Sequence, residues 1–183
     1  MSNVKKICIS AFCIALCYIL PQAFHAVGLG SALSPMHLPV LLCGLVCGWG
    51  WGAVCGVAGP ILSSVLSGMP PAAMLMSMIP ELCVYGLCAG LFMKLTRTGS
   101  LYADLYLSLI PAMVLGRVAG GAAQAMMYLS GTESYSIAIW VSSYFVGTLP
   151  GAILQLILLP ILVLAVMKAG LIPPKYSLQS VKV

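Results

Sequence analysis

Between Ser34 and Pro71 the chain carries no Lys, Arg, Asp or Glu, and apolar residues dominate, broken mainly by Gly, Ser and Pro. A soluble domain would have to hide such a stretch completely, whereas the hydrocarbon interior of a bilayer requires it. The stretch reads as a membrane hairpin: a helix over about 37–50, a glycine-rich turn, and a helix over about 52–68 stopped by Met69-Pro70-Pro71. Gly44, Gly48, Gly52 and Gly56 recur at every fourth position. On helices such glycines stack on one face as a groove that lets backbones approach closely, so the hairpin is expected at the packed centre of a bundle.

Further apolar runs flank the hairpin. Lys5 and Lys6 precede one over about 7–24. A secretory signal opens in the same way, but no A-x-A site follows, and Leu16 stands where a lipoprotein site at Cys17 would need a small residue. The run is therefore read as a retained first helix. A run over about 72–93 holds Glu81 and ends at Lys94 and Arg97; one over about 102–129 holds Arg117; one over about 137–167, interrupted by Pro150 and Pro160, leads to a tail with Lys168, Lys175 and Lys182. At roughly 20 residues per crossing this predicts an all-α integral membrane bundle of six transmembrane helices forming one domain over 1–183. The loops at 25–35, 69–71 and 130–136 contain no Lys or Arg. The basic residues outside the membrane thus fall on one side, which places both termini in the cytoplasm by the positive-inside rule.

Composition strengthens this picture: 62% of the 183 residues are hydrophobic and 6% are charged, against about a quarter charged in a globular domain. The net charge of +5 does not indicate a nucleic-acid partner, because the basic residues are scattered singly or in pairs beside apolar runs, as topology determinants are. Eight cysteines lie inside apolar segments; Cys13 with Cys17 and Cys43 with Cys47 are at i,i+4. Neither pair has His or acidic co-ligands nearby, so no metal is expected and the thiols read as small buried apolar groups.

Candidate chemistry rests on two ionisable residues inside predicted spans. A charge in a membrane helix costs several kcal/mol unless paired, and so marks a functional site by default. Glu81 and Arg117 lie at matching depths on antiparallel neighbours, roughly 15–18 Å from the outer surface by helical rise. They can form a structural ion pair that closes the bundle. They can equally line a solute pocket, because Tyr85, Gln124, Tyr128, Trp140 and Tyr144 gather on the same side, and His37 at the base of the first outer loop joins them. His25 and His37 are too far apart in sequence to suggest a metal pair, and a capping or gating role for that loop is the better reading. Met69, Met74, Met76 and Met78 suit an adaptable lining or packing. There is no phosphate-binding loop, HExxH or GxSxG, and the chain holds only three acidic residues, Glu81, Asp104 and Glu133. No enzyme constellation and no cofactor are therefore expected.

Six short helices with both ends inside, the notch Ala11-x-x-x-Ala15 in the first helix, and the Ser34-Pro35-Met36-His37-Leu38-Pro39 entry to the second resemble one family over essentially the whole chain. It is that of the substrate-binding S components of energy-coupling factor (ECF) transporters, a vitamin-uptake class of the bacterial plasma membrane. The resemblance implies a multi-pass subunit that captures a micronutrient, usually a B vitamin or precursor, beneath the first outer loop. It implies association with a transmembrane T component, contacted through Ala11 and Ala15, and with two cytoplasmic ATPases that consume ATP, followed by toppling in the membrane. The pocket does not match the riboflavin, thiamine, biotin or folate members residue by residue, and Ser2 stands where nickel and cobalt members carry histidine, so the substrate stays open. The alternative is a membrane-embedded enzyme or assembly factor that uses Glu81 and Arg117 catalytically or structurally.

Overall fold

The computed structural model describes residues 1–26, 28, 34–129, 142 and 146–171. Among these residues six helices follow in order: α1 (Asn3–Ala26), α2 (His37–Cys47), α3 (Trp49–Ser67), α4 (Ala72–Leu95), α5 (Leu101–Leu129) and α6 (Leu149–Lys168). Five are long and apolar enough to cross a membrane, and α2 is the short one. The chain is an all-helical membrane bundle. Lys5, Lys6, Lys94, Arg97 and Lys168 lie together at one end, which we call the basic end, because successive helices alternate in direction.

The hairpin departs from a single glycine groove at one point. Gly48 has φ 98° and belongs to neither helix; α2 stops at Cys47, not near residue 50, and α3 begins at Trp49. A side chain would strain that left-handed backbone, so this glycine makes the turn. The other three work as expected. A Cβ on Gly44 or Gly52 would run into the carbonyl oxygen of Gly86 on α4, and one on Gly56 into the backbone of Leu82. Contact at this range needs a glycine on at least one of the two helices, and it locks α4 against the α2–α3 hairpin.

The short α2 sets the depth of the site. At 1.5 Å per residue, α2 rises about 15 Å from the turn at Gly48 while α3 rises about 27 Å from the same turn. The first residue of α2, His37, therefore begins about 12 Å below the far end of α3, within the bundle. Proline interrupts the hydrogen-bond ladder of the remaining helices without ending them: Pro80 lies inside α4, Pro111 inside α5 and Pro160 inside α6. Pro150 occupies the first turn of α6, where a missing N–H would have no partner in any case. The start expected near residue 137 lies outside the described residues. α6 packs chiefly against α2 and touches α5 lightly.

The core contains Val40, Leu41, Leu82, Tyr85, Leu105, Leu109 and Leu159, together with five of the cysteines on α1–α3. Cys43 neighbours Cys13, Cys47 and Cys55, and its thiol reaches Ser10 Oγ at 3.4 Å. Cys17 abuts Gly59, where a Cβ would lie 2.9 Å from its sulfur. The thiols thus fill space between closely approaching helices. Among the described residues no group of three or more His, Cys, Asp or Glu is arranged to hold a metal ion.

Candidate functional site

Glu81 lies nine residues into α4, about 14 Å from the far end, and Arg117 twelve residues from the end of α5, about 18 Å down. The two lie within about one helical turn of the same depth, and each meets another residue of the cluster. The carboxylate Oε1 of Glu81 is 3.1 Å from Nε2 of His37. Arg117 donates from Nε to the hydroxyl of Tyr85, also at 3.1 Å. Tyr85 closes the set by meeting the His37 ring edge to face, centroids 4.9 Å apart at 87°. Tyr85 is fully buried, and His37, Glu81 and Arg117 are each more than nine-tenths buried.

Two glycines of α5 make room for this cluster. A Cβ on Gly116 would lie 2.6 Å from the Tyr85 ring, and one on Gly120 would lie 2.9 Å from both Cβ and Oε2 of Glu81. The sequence Gly116-Arg117-x-x-Gly120 therefore does two jobs: the glycines admit the α4 side chains, and the arginine between them answers the tyrosine.

The histidine's tautomer follows from its neighbours. Its Nδ1 is 3.2 Å from the carbonyl oxygen of Ser34, an acceptor only, so Nδ1 carries a proton. The contact from Nε2 to Glu81 then holds one further proton, on the ring or on the carboxyl. The Ser34 carbonyl also accepts the backbone N–H of His37 at 3.1 Å and Nε2 of Gln155 at 3.5 Å. Ser34 has φ 43°, left-handed for a residue with a side chain; these bonds hold a conformation that is otherwise disfavoured.

Gln155 is the residue that sequence reasoning missed. It is nearly fully buried, and its Oε1 is the single buried side-chain oxygen or nitrogen without a hydrogen-bond partner among the described residues. An unsatisfied buried acceptor costs about 1–3 kcal/mol. The signal was present in the sequence, since Gln155 is the sole polar residue before Lys168 in the apolar run of α6.

The other predicted residues divide clearly. Gln124 and Tyr128 follow Arg117 at one-turn intervals along α5 and are half-buried. Trp140 and Tyr144 lie outside the described residues, as does Glu133. His25 is exposed at the end of α1, whereas His37 is part of the cluster. Met74 and Met76 are mostly exposed on α4 and only Met78 packs against the core, so the methionines do not form one lining. On α1, Ala11 and Ala15 face outward while Cys13 and Cys17 face the core.

A helical bundle with five long apolar spans, a buried polar cluster at mid-depth and its cations at one end is a multi-pass membrane protein. Residues 5–163 match the family described as ECF transporter, substrate-specific component. The chain belongs to that family. Comparison with curated proteins and with solved structures gave no match.

Proposed function

We propose that the chain is the solute-capturing subunit of an ECF-type importer in a bacterial plasma membrane, and that it takes up a vitamin or related small organic micronutrient. The observation that carries this reading is the buried cluster of His37, Glu81, Tyr85 and Arg117. Packing alone would be served as well or better by apolar side chains, so a polar set at this depth calls for a ligand. Gln155, with an acceptor to offer, and Gln124 and Tyr128 along the same face of α5 extend the site toward the far end. Trp140 and Tyr144 would complete it from the segment before α6. Both termini and the basic end would face the cytoplasm, and the far end the outside.

The chain contains no phosphate-binding loop, so ATP hydrolysis falls to two partner ATPases joined through a T component. The outward-facing Ala11 and Ala15 would give the T component a flat, close contact. The test is native mass spectrometry of the protein purified from its own membranes. We expect one small organic molecule per chain, retained in wild type and lost from folded Arg117→Met and His37→Ala variants, with ATPase subunits co-purifying. A folded protein that carries no solute and recruits no ATPase overturns the reading.

A further inference from the structure

All six helices converge on a second feature, at the opposite end from the polar cluster. A cleft of about 390 Å³ opens between the start of α1, the α2–α3 turn, the end of α4, the start of α5 and the end of α6. Its walls are apolar, with Leu45, Val46, Met93, Val163 and Met167, and the backbone at Gly48 and Gly90 also lines it. Gly90 cannot be enlarged without striking the Trp49 backbone, so the helices under the cleft are held at fixed spacing. Lys6 and Lys94 both line it, and Trp49, half of its surface exposed, stands beside them.

The charge at this end is one-sided. Lys5, Arg97 and Lys168 belong to the same end of the bundle by their places at the helix ends, and Asp104 is the one acidic residue on this side of the chain's connectivity. Asp104 is fully buried and its Oδ1 accepts from the backbone N–H of Thr98 at 2.9 Å and from the Thr98 hydroxyl at 2.7 Å. The carboxylate is thus turned to the α4–α5 loop. An apolar cleft at a helix-bundle end, lined by two cations and an interfacial Trp, is matched by an amphiphile with an anionic head.

We propose that this cleft seats an anionic phospholipid, with the phosphate at the rim between Lys6 and Lys94 and acyl carbons against the apolar walls, the chains leaving along the exposed apolar surface of α1 at Val4 and Ile7. The site is independent of the solute pocket, since neither lysine belongs to the polar cluster.

Native mass spectrometry of the full chain in detergent, titrated with phosphatidylglycerol or phosphatidylcholine, tests the proposal. Wild type should retain phosphatidylglycerol roughly 30-fold better, each lysine contributing about fivefold. Lys6→Gln with Lys94→Gln should remove the preference, Lys94→Gln alone should reduce it about fivefold, and Lys5→Gln should leave it nearly intact. Unchanged thermal unfolding without lipid establishes that the variants fold, and the exposed Lys94 makes its single variant the safer readout. Equal retention of the two lipids, or a preference that survives in the double variant, overturns the proposal. So does a stabilisation by inorganic phosphate equal to that by lipid, which would mark a plain anion site, or exclusion of the lipid by a bound protein segment in the purified chain.

Discussion

His37 and Glu81 meet at 3.1 Å although their helices reach that level from different starting points. The meeting depends on α2 being short. A full-length second span would lift its first residue to the far surface, whereas an 11-residue helix rising from the turn at Gly48 leaves His37 level with the middle of α4. Ser34, just before α2, is thereby held within the bundle by its bonds to His37 and Gln155.

The pair yields the first prediction. Breaking a buried pair by deleting one partner costs about 3–5 kcal/mol, because the survivor is stranded. Glu81→Ala should therefore lower stability by about 3 kcal/mol in chemical unfolding on detergent-purified protein. Glu81→Gln keeps the shape and supplies an amide N–H that can donate to Nε2 of a neutral His37, and should cost less than half as much. Equal losses in the two variants would show that the negative charge, which both remove, carries the whole contribution and that side-chain shape adds nothing.

The helix-packing prediction concerns Gly86. A Cβ there would collide with the carbonyl oxygen of Gly52, and backbone cannot rotate away as a side chain tip can. Gly86→Ala should cost at least the 1–3 kcal/mol typical of overpacking. Gly50 has open space around its missing Cβ, so Gly50→Ala should be neutral or stabilising by up to about 1 kcal/mol through helix propensity. Thermal unfolding of the two variants side by side checks the contrast.

These contacts also mark what could be read from the chain alone. The spans were legible because a bilayer demands apolar length, and the role of Gly44, Gly52 and Gly56 followed from their spacing. Gly48 obeys the same spacing, yet its left-handed φ divides the hairpin, and periodicity carries no record of φ. Glu81 and Arg117 could be placed at one depth by counting residues. Their partners could not, because the level of His37 depends on where α2 ends. Gln155 is legible as the one amide in the apolar run of α6, but a neutral amide costs less in a membrane than a charge and so marks a site less strongly than Glu81 or Arg117. Trp140 and Tyr144 remain proposals from sequence, in a segment outside the described residues.

Assembly gives the third prediction. Ala11 and Ala15 are exposed on α1, on a different side from the Cys13 and Cys17 that pack inward. Ala11→Trp and Ala15→Trp should leave the fold and solute retention unchanged while preventing close approach of a partner helix. Co-purification with a T component and its ATPases should fall at least tenfold, which is about 1.4 kcal/mol of lost contact. Loss of solute together with assembly would place the notch inside the subunit's own packing.

The final prediction separates structure from recognition at Gln155. If its orphaned Oε1 serves no ligand, it is a plain defect, and Gln155→Leu should relieve up to about 1–3 kcal/mol of desolvation cost, offset by the loss of the weak 3.5 Å bond to Ser34. The variant would then be as stable as wild type or more so, with solute retention untouched. If the oxygen instead accepts a hydrogen bond from the captured solute, Gln155→Leu should be equally stable when empty but bind about 10-fold more weakly or worse, because the donor on the solute is buried without a partner. We expect the second pattern: unchanged or raised thermal stability of solute-free protein, together with loss of the solute that wild type carries through purification. Gln155→Glu tests the polarity of that contact. It retains an acceptor, so it should keep part of the affinity that Leu abolishes, provided the solute presents a donor to this face of α6. Loss of binding in Glu equal to that in Leu would instead assign Gln155 to holding Ser34 and the base of the first loop.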